Sequence, residues 1–172
     1  MIRALLAQFP GFALSVSATT RAPRPGEVDG RDYHFLSTDA FERRVADGAF
    51  LEHATYAGNR YGTLRSELAR QADGLVLEIE LQGSRQVREA LPDAVQVFIA
   101  PPSTDALMAR LVGRGTDLPK QIESRLAAAR GELEAISEFE HVIVNDRLER
   151  AAQDLIDLVA TIWGQQPRGV PK

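Results

Sequence analysis

The sequence predicts an α/β fold in which a parallel sheet is flanked by helices. Short, mostly apolar runs at 75–81, 95–100 and 142–144 are typical of strands that are buried on both faces. Segments of helical length lie between these runs, and strands that alternate with helices favour parallel pairing. The chain has 172 residues, of which 44% are hydrophobic and 26% charged, so we expect one globular domain over 1–172.

Turn and breaker residues divide the first half of the chain into shorter elements. Pro10-Gly11 ends the first helix, and Gly48 and Gly74 each end a later one. The expected elements are a helix at 2–8, a strand at 12–17, a Pro- and Gly-rich loop at 19–31, a strand at 32–36, a helix at 38–47, a strand at 50–56, a turn at Gly58-Asn59 and a helix at 63–72.

Helices are expected between the buried strands of the second half. Ser103 is a suitable N-cap, and Asp105 follows in the first turn, where the helix dipole favours a negative charge. The expected helices are 83–90, 103–113, 118–136 and 147–162.

Composition and charge exclude several classes of function. The formal net charge is −4 at pH 7, so the chain has no overall positive field to bind nucleic acid. The absence of cysteine excludes disulfides, thiolate zinc sites and a cysteine nucleophile. No apolar run approaches the ~20 residues of a membrane span. We therefore expect a cytoplasmic protein that binds neither nucleic acid nor a membrane, and the oligomeric state is left open.

Polar residues follow the apolar strands at their carboxyl ends. They are 17–19, 78–80 and 145–146. In parallel α/β sheets, ligands bind in the crevice outside the carboxyl ends of the strands. We therefore expect a ligand site at this edge of the sheet.

Two arginines in the loop at 19–31 are candidates for an anion site. Arg21 and Arg24 lie among prolines, with Tyr33 and Tyr61 nearby in sequence. Two guanidinium groups in one restrained loop suit phosphate, and the prolines lower the entropic cost of ordering the loop. The alternative is a solvated arginine loop without a ligand.

Acidic residues in strands form two further candidate groups. Glu52 lies in an otherwise apolar strand, where a carboxylate could accept two N–H bonds from a purine edge; the alternative is a glutamate that faces water. Glu78 and Glu80 share one strand face, and two buried acids require a metal, a cation or hydrogen-bond donors. They could orient hydrated Mg²⁺ or contact a substrate, or form salt bridges with nearby arginines.

A third cluster of arginines lies around two glycines. Arg110 and Arg114 belong to the run RLVGRG, and Arg125 follows in the next expected helix. Glycines on both sides of Arg114 suggest a hinge, and a mobile arm that carries arginines fits a lid that closes over phosphates. The alternative is a set of arginines on a helix surface.

Six segments together resemble the guanylate kinase family, in the family's order and at similar spacing. The resemblance covers essentially the whole chain, and six motifs in order are highly specific. The segments are SVSATTRAPRPGEVDGRDYHF (15–35), FLEHATYAGNRYGT (50–63), IELQG (79–83), FIAPPS (98–103), LVGRGTD (111–117) and VIVND (142–146).

The resemblance implies a P-loop-kinase-like fold with a small mixed GMP-binding subdomain at about 19–72 and a helical lid at about 113–130. It implies an enzyme that transfers the γ-phosphoryl group of ATP to GMP, with Mg²⁺ as cofactor. The GMP phosphate would be held by Arg21, Arg24, Tyr33 and Tyr61, and the guanine by Ser17, Glu52, Thr63 and Glu78.

The resemblance also implies roles on the ATP side. Arg114 and Arg125 would reach the transferred phosphoryl group from the lid. Arg110 and Asn145 would lie on the adenine side of ATP.

This sequence departs from the family pattern in three ways. The family has aspartates where Glu78 and Glu80 stand here, so distances to a metal or substrate must readjust, and the role of Glu80 is left open. The segment between Tyr61 and Glu78 is a few residues shorter. The P-loop motif G-x-x-x-x-G-K-[ST], whose amides and lysine hold ATP phosphates, is absent.

The third departure implies that the strand at 75–80 lacks a central neighbour. We expect the coding sequence to begin upstream of Met1 and to supply the P-loop. The alternative function is a catalytically inactive guanylate-kinase-like module that binds GMP or a peptide.

Overall fold

The computed structural model describes residues 1–113, 131 and 133–165, with only the backbone described for 110–113 and 165. Its helices are α1 (Ile2–Gln8), α2 (Thr38–Ala46), α3 (Leu81–Ala90), α4 (Thr104–Gly113) and α5 (Leu148–Gln165). Its strands are β1 (Phe12–Leu14), β2 (Ala18–Thr19), β3 (His34–Phe35), β4 (Phe50–Tyr56), β5 (Asn59–Leu64), β6 (Gly74–Val76), β7 (Val97–Ala100) and β8 (His141–Val144). Short 3₁₀ turns occupy Arg65–Ala69 and Ala135–Glu138.

Parallel strands and two helices form the main layer, which confirms the expected α/β class. β1 pairs with β6 and β7 pairs with β8, both in parallel. A buried cluster of Leu5, Ile143, Ala151 and Leu155 joins α1, β8 and α5. Val76 of β6 packs against the same cluster, so both strand pairs rest on the same pair of helices.

The parallel strands form two separate pairs in the described part of the chain. In residues 1–113 and 133–165, β6 pairs only with β1, and β8 pairs only with β7. Val142 and Val144 of β8 are 41% and 43% exposed, although parallel strands are usually covered on both faces.

A second, mixed sheet contains the strands of the first half, in the order β3-β2-β5-β4. β2 runs parallel to β3 and antiparallel to β5, and β4 and β5 form a hairpin. Its core consists of Ala18, Phe41 and Phe50, with the two phenyl rings stacked at 4.4 Å between centroids. This stack attaches α2 to the sheet.

The structure corrects several element boundaries. The segment 63–72 is not a helix, because Thr63 and Leu64 pair with β4 as the end of β5 and only a 3₁₀ turn follows. The hairpin turn lies at Ala57-Gly58, one residue earlier than expected, and both residues have positive φ. The strand expected at 12–17 ends at Leu14 as β1, and a separate short strand, β2, follows at Ala18–Thr19.

The second half also differs in detail. The strand expected at 75–81 is observed only as β6, which ends at Val76, and the Glu80 carboxylate caps α3, which begins at Leu81, two residues before the expected start. Ser103 accepts the N–H of Ala106 at 3.1 Å, which confirms its capping role. The expected helix at 118–136 ends in a 3₁₀ turn, and most of it lies outside the described residues.

None of the helices in the described ranges is both long and apolar enough to cross a membrane. The cytoplasmic location and the boundaries of the subdomain at 19–72 stay predictions, and the lid at 113–130 lies almost wholly outside the described residues.

Glu67 connects the 3₁₀ turn after β5 to the segment that leads into β2. Its buried carboxylate accepts the N–H of Val16 at 2.8 Å and a guanidinium N–H of Arg70 at 2.9 Å. Burial alone would raise the pKa of Glu67, but these hydrogen bonds and the charges of Arg70 and His34 lower it overall. The ionised form therefore stabilises the fold above the pKa of unfolded glutamate, and this contribution is lost as the pH falls through the lowered value.

We expect Glu67→Gln to lower the free energy of unfolding at pH 7 by about 1–3 kcal/mol, because a buried charged acceptor is lost. Urea denaturation measures this change. Arg150→Gln is the control, because it breaks an exposed ion pair with Asp146 and should cost less than about 0.5 kcal/mol. Equal losses for the two variants would contradict the interpretation.

Candidate active site

A β-bulge in the β4–β5 hairpin determines where Glu52 points. Phe50 pairs with Leu64, but Glu52 pairs with Thr63, so β4 contains one extra residue between the two pairs. Without the bulge, Phe50 and Glu52 would lie on the same face of the strand. With it, Phe50 faces α2 and the Glu52 carboxylate lies against the start of α3.

The Glu52 carboxylate is enclosed by β5 and α3. Glu52 is only 4% exposed, and Thr63 beside it is fully buried. A Cβ atom on Gly83 would lie 2.4 Å from Glu52 Oε2, so only glycine allows this approach. The first turn of α3 also places the positive end of the helix dipole near the carboxylate.

Burial raises the pKa of Glu52, and the nearby charge of Glu80 raises it further. Hydrogen bonding from Thr63 acts in the opposite direction. A carboxylate that is buried without a cationic partner is costly. Its arrangement therefore suits a ligand that brings N–H donors.

The Thr63 hydroxyl is another polar group suited to a ligand. Its Oγ1 lies close enough to favour the ionised form of Glu52, yet it has no well-formed hydrogen bond within the described ranges. Buried polar atoms normally have a partner, so an unsatisfied one beside a carboxylate is a candidate contact for a ligand.

The loop between β2 and β3 brings a guanidinium group together with two phenols. Arg21 lies over the Tyr33 ring at 5.2 Å and the Phe35 ring at 5.8 Å. The Tyr33 and Tyr61 rings are in edge contact at 6.2 Å, and the Tyr61 hydroxyl interacts with Arg21. The structure thus brings together three of the four residues predicted to hold a phosphate.

Glu78 connects this group with the carboxyl end of β6. Burial raises the pKa of Tyr33, and the charges of Tyr61, Glu78 and Glu27 also raise it, whereas Arg21 lowers it. Tyr33 therefore stays a neutral hydroxyl donor at ordinary pH. The charge of Glu78 is therefore near enough to act on the Tyr33 hydroxyl.

Two other residues predicted for the site, Ser17 and Arg24, lie on either side of Arg21 in the sequence. Ser17 is half-buried directly before β2, and its carbonyl accepts the N–H of His34 at 2.9 Å. The Arg24 side chain is exposed, and its backbone N–H donates to Glu27 Oε2 at 2.7 Å. No hydrogen bond of the Arg24 guanidinium group is found in the described part of the chain.

The residues predicted for the ATP side are largely beyond what the structure describes. Arg114 and Arg125 lie outside the described residues, and only the backbone of Arg110 is described, in α4. Asn145 follows β8, where its N–H donates to the carbonyl of Ala100 at 2.7 Å.

Sequence reasoning missed Glu27 and Gly83 at this site, and it left the role of Glu80 open. Glu27 is ion-paired with Arg21, Gly83 contacts Glu52, and Glu80 caps α3 close to Glu52. Glu27 could have been found as an acid three positions after Arg24 in the same loop. The other two contacts depend on how α3 meets β4, which no local pattern records.

Comparisons with known proteins agree with this geometry. The family model described as guanylate kinase matches residues 1–162. A guanylate kinase of Thiobacillus denitrificans is 49% identical over 165 residues, covering 94% of this chain and 79% of that protein. A guanylate kinase of Frankia casuarinae is 51% identical over 162 residues, covering 92% and 88%.

The chain belongs to the guanylate kinase family.

The fold supports the same assignment. The crystal structure of guanylate kinase from Anaplasma phagocytophilum matches with a TM-score of 0.76 at 30% identity, covering 96% of this chain and 83% of that one. The expected class of enzyme, a nucleoside monophosphate kinase that phosphorylates GMP, is confirmed at the level of the guanylate kinase family.

Gly83→Ala tests the close contact between α3 and Glu52. The new methyl group must displace a buried carboxylate, so we expect the affinity for GMP to fall about tenfold or more. Gly164→Ala is the matched control, because Gly164 also lies in a helix and a Cβ there meets nothing within 4 Å. Calorimetric titration measures both variants, and an unchanged affinity of Gly83→Ala would contradict the contact.

Proposed function

We propose that the site between the β4–β5 hairpin, α3 and the β2–β3 loop binds GMP as the acceptor of the γ-phosphoryl group of ATP. The proposal rests on two groups of side chains at opposite ends of the site, an acidic pole for the guanine and a basic pole for the phosphate. A buried carboxylate with an unsatisfied hydroxyl lies at one end, and an arginine with two phenols lies at the other. A purine nucleotide with hydrogen-bond donors on its base and an anion at its other end matches both.

The acidic pole selects guanine through hydrogen-bond direction. The Glu52 carboxylate would accept from the N1 and N2 donors of guanine, and the hydroxyls of Thr63 and Ser17 would donate to O6. Adenine offers the opposite pattern and would leave buried polar groups unpaired. Comparable sites reject the mismatched analogue by ~10⁴-fold or more.

The basic pole holds the phosphate of GMP. Arg21 and Arg24 would supply charge, and Tyr33 and Tyr61 would donate from their hydroxyls. Glu78, whose charge acts on Tyr33, would contact the guanine from the side of β6. Fixing the acceptor phosphate in place lowers the barrier through positioning, which is the main requirement of phosphoryl transfer.

The ATP side completes the proposal with four further residues. We assign Arg114 and Arg125 to the transferred phosphoryl group, and Arg110 and Asn145 to the adenine side. Mg²⁺ would neutralise phosphate charge and arrive with ATP. Within the described ranges, no three of the His, Asp and Glu side chains form a metal cluster, and Glu80 Oε1 already accepts the N–H of Gly83 at 2.7 Å.

A second candidate function is GMP binding without phosphoryl transfer. The observation in its favour is that the 172 residues contain no G-x-x-x-x-G-K-[ST] motif. ADP release from ATP, measured with and without GMP, separates the two candidates. GMP-dependent release supports the kinase, and GMP binding without release supports the second candidate. Failure to bind GMP by folded protein would overturn both.

Arg21→Lys tests the phosphate pole. Lysine keeps the charge but cannot offer two parallel donors, so we expect the dissociation constant for GMP to rise about 10–100-fold. Arg31→Lys is the control in the same loop, because Arg31 is exposed and paired with Asp32. Its effect should stay within about twofold. Equal affinities of the two variants would argue against the assignment of Arg21.

The raised pKa of Glu52 predicts a pH dependence at the guanine pole. Guanosine is the suitable ligand because it has no phosphate that titrates. We expect its dissociation constant to rise, by up to about tenfold per pH unit, as the pH falls through the pKa of Glu52 in the free protein. The plot of dissociation constant against pH should therefore bend above pH 4.5, the ordinary pKa of glutamate.

NMR titration of guanosine across this pH range measures the profile. Glu52→Gln has no carboxyl group to protonate at this position, so its weaker binding should show no such bend. A bend at or below pH 4.5 in the unmodified protein would contradict the raised pKa, and an identical bend in Glu52→Gln would assign the titration to another group.

A further inference from the structure

Glu27 occupies one side of the guanidinium group of Arg21. Glu27 Oε1 accepts from Nη2 of Arg21 at 2.9 Å, and Oε2 accepts from Nη1 at 3.0 Å. Oε2 also accepts the backbone N–H of Arg24 at 2.7 Å. The two side chains are mostly covered, with 15% exposure for Arg21 and 19% for Glu27. A single carboxylate thus fixes both the arginine and the turn of the loop.

The contacts leave a particular edge of Arg21 available. The carbonyl of Ala22 accepts the second Nη1 hydrogen at 2.7 Å, so Glu27 and Ala22 together use three of the five N–H donors of the guanidinium group. The two remaining donors are Nε–H and one hydrogen of Nη2, and the Tyr61 hydroxyl, itself predicted to hold the phosphate, also interacts with this guanidinium group. The two donors lie parallel on one edge, which is the arrangement that binds two oxygens of a phosphate.

We propose that Glu27 is a positioning residue, which holds Arg21 so that its Nε–Nη2 edge faces the phosphate of the acceptor nucleotide. This inference rests on the proposed function of Arg21. The ring contacts with Tyr33 and Phe35 fix the plane of the guanidinium group, and Glu27 fixes its rotation within that plane. Without Glu27, a flexible arginine would lose more conformational entropy when the ligand binds.

The alternative is that Glu27 weakens phosphate binding, because its carboxylate is negatively charged. A carboxylate close to an anionic ligand repels it, and a carboxylate on Arg21 could compete with the phosphate for the same donors. Competition requires shared donors, whereas the available Nε–Nη2 edge lets Arg21 hold both partners at once. The geometry therefore favours positioning over competition.

Glu27→Gln tests the inference by calorimetric or NMR titration with GMP and guanosine. We expect the dissociation constant for GMP to rise about tenfold, because Gln cannot accept from both guanidinium nitrogens. Guanosine affinity should stay within about twofold, because the guanine pole is untouched. A general disturbance of the structure would weaken both ligands. Unchanged or improved affinity of Glu27→Gln for GMP would overturn the inference.

Asp32→Asn is the matched control in the same loop. Asp32 also accepts a backbone N–H, from Val28 at 2.8 Å, and pairs with Arg31, but does not bond to Arg21. Its GMP affinity should stay within about twofold. If Glu27→Gln lowers the helix content in circular dichroism, Glu27→Asp, which shortens the side chain by one methylene, is measured instead with the same expected selectivity.

Arg21→Lys separates this inference from the proposed function. If Arg21→Lys weakens GMP binding and Glu27→Gln does not, only the role of Glu27 is wrong. If neither variant weakens GMP binding, the phosphate pole itself is wrong. If both do, the double variant should lose less than the product of the single losses, because the two residues act together.

Discussion

The burial of one carboxylate, that of Glu52, constrains the architecture around the site. A charged group can remain in a nearly dry environment only where helix dipoles, hydroxyls or ligand donors compensate for lost hydration. The bulge in β4 turns this side chain away from the phenyl stack with α2 and towards α3. Gly83 admits it there, and Thr63 borders it from β5. The β4–β5 hairpin and the start of α3 therefore meet around one oxygen pair.

Much of this arrangement could be predicted from the sequence, because short-range patterns of residue types determine it. The apolar strand at 50–56 matches its observed bounds, and the arginine loop follows from prolines and glycines that exclude regular structure. The hairpin partner at 59–64 is not expected as a strand, and its last two residues are expected in a helix, because NRYGTL has no apolar alternation. Only its pairing with β4 makes it a strand. The bulge also escaped prediction, since an extra residue has no compositional mark. The extra residue moves the side chains on one side of the bulge to the opposite face of the strand, so the alternation used to assign faces from the sequence no longer holds.

The two poles of the site differ in how their charges are balanced. At the basic pole, the charge of Arg21 is balanced within the protein by the carboxylate of Glu27. The hydrogen bonds from Arg21 and Arg24 lower the pKa of Glu27. Among the described residues, no basic side chain acts on the carboxylate at the other pole, and its pKa is raised instead. An acceptor nucleotide therefore changes the two ends differently. At the phosphate it adds an anion to a compensated pair, and at the base it supplies the donors that a buried acid lacks.

The division of the parallel strands into two pairs, β1–β6 and β7–β8, has a consequence for hydrogen exchange. Backbone groups on a strand edge without a partner strand must bond to water or to another part of the chain. In these short pairs, such amides should exchange hydrogen with deuterium faster than the amides between β4 and β5. The two pairs pack on the same buried cluster of α1, β8 and α5, and loss of that packing is a smaller event than global unfolding. Exchange at these amides therefore reports local opening of the parallel layer separately from the hairpin that carries Glu52.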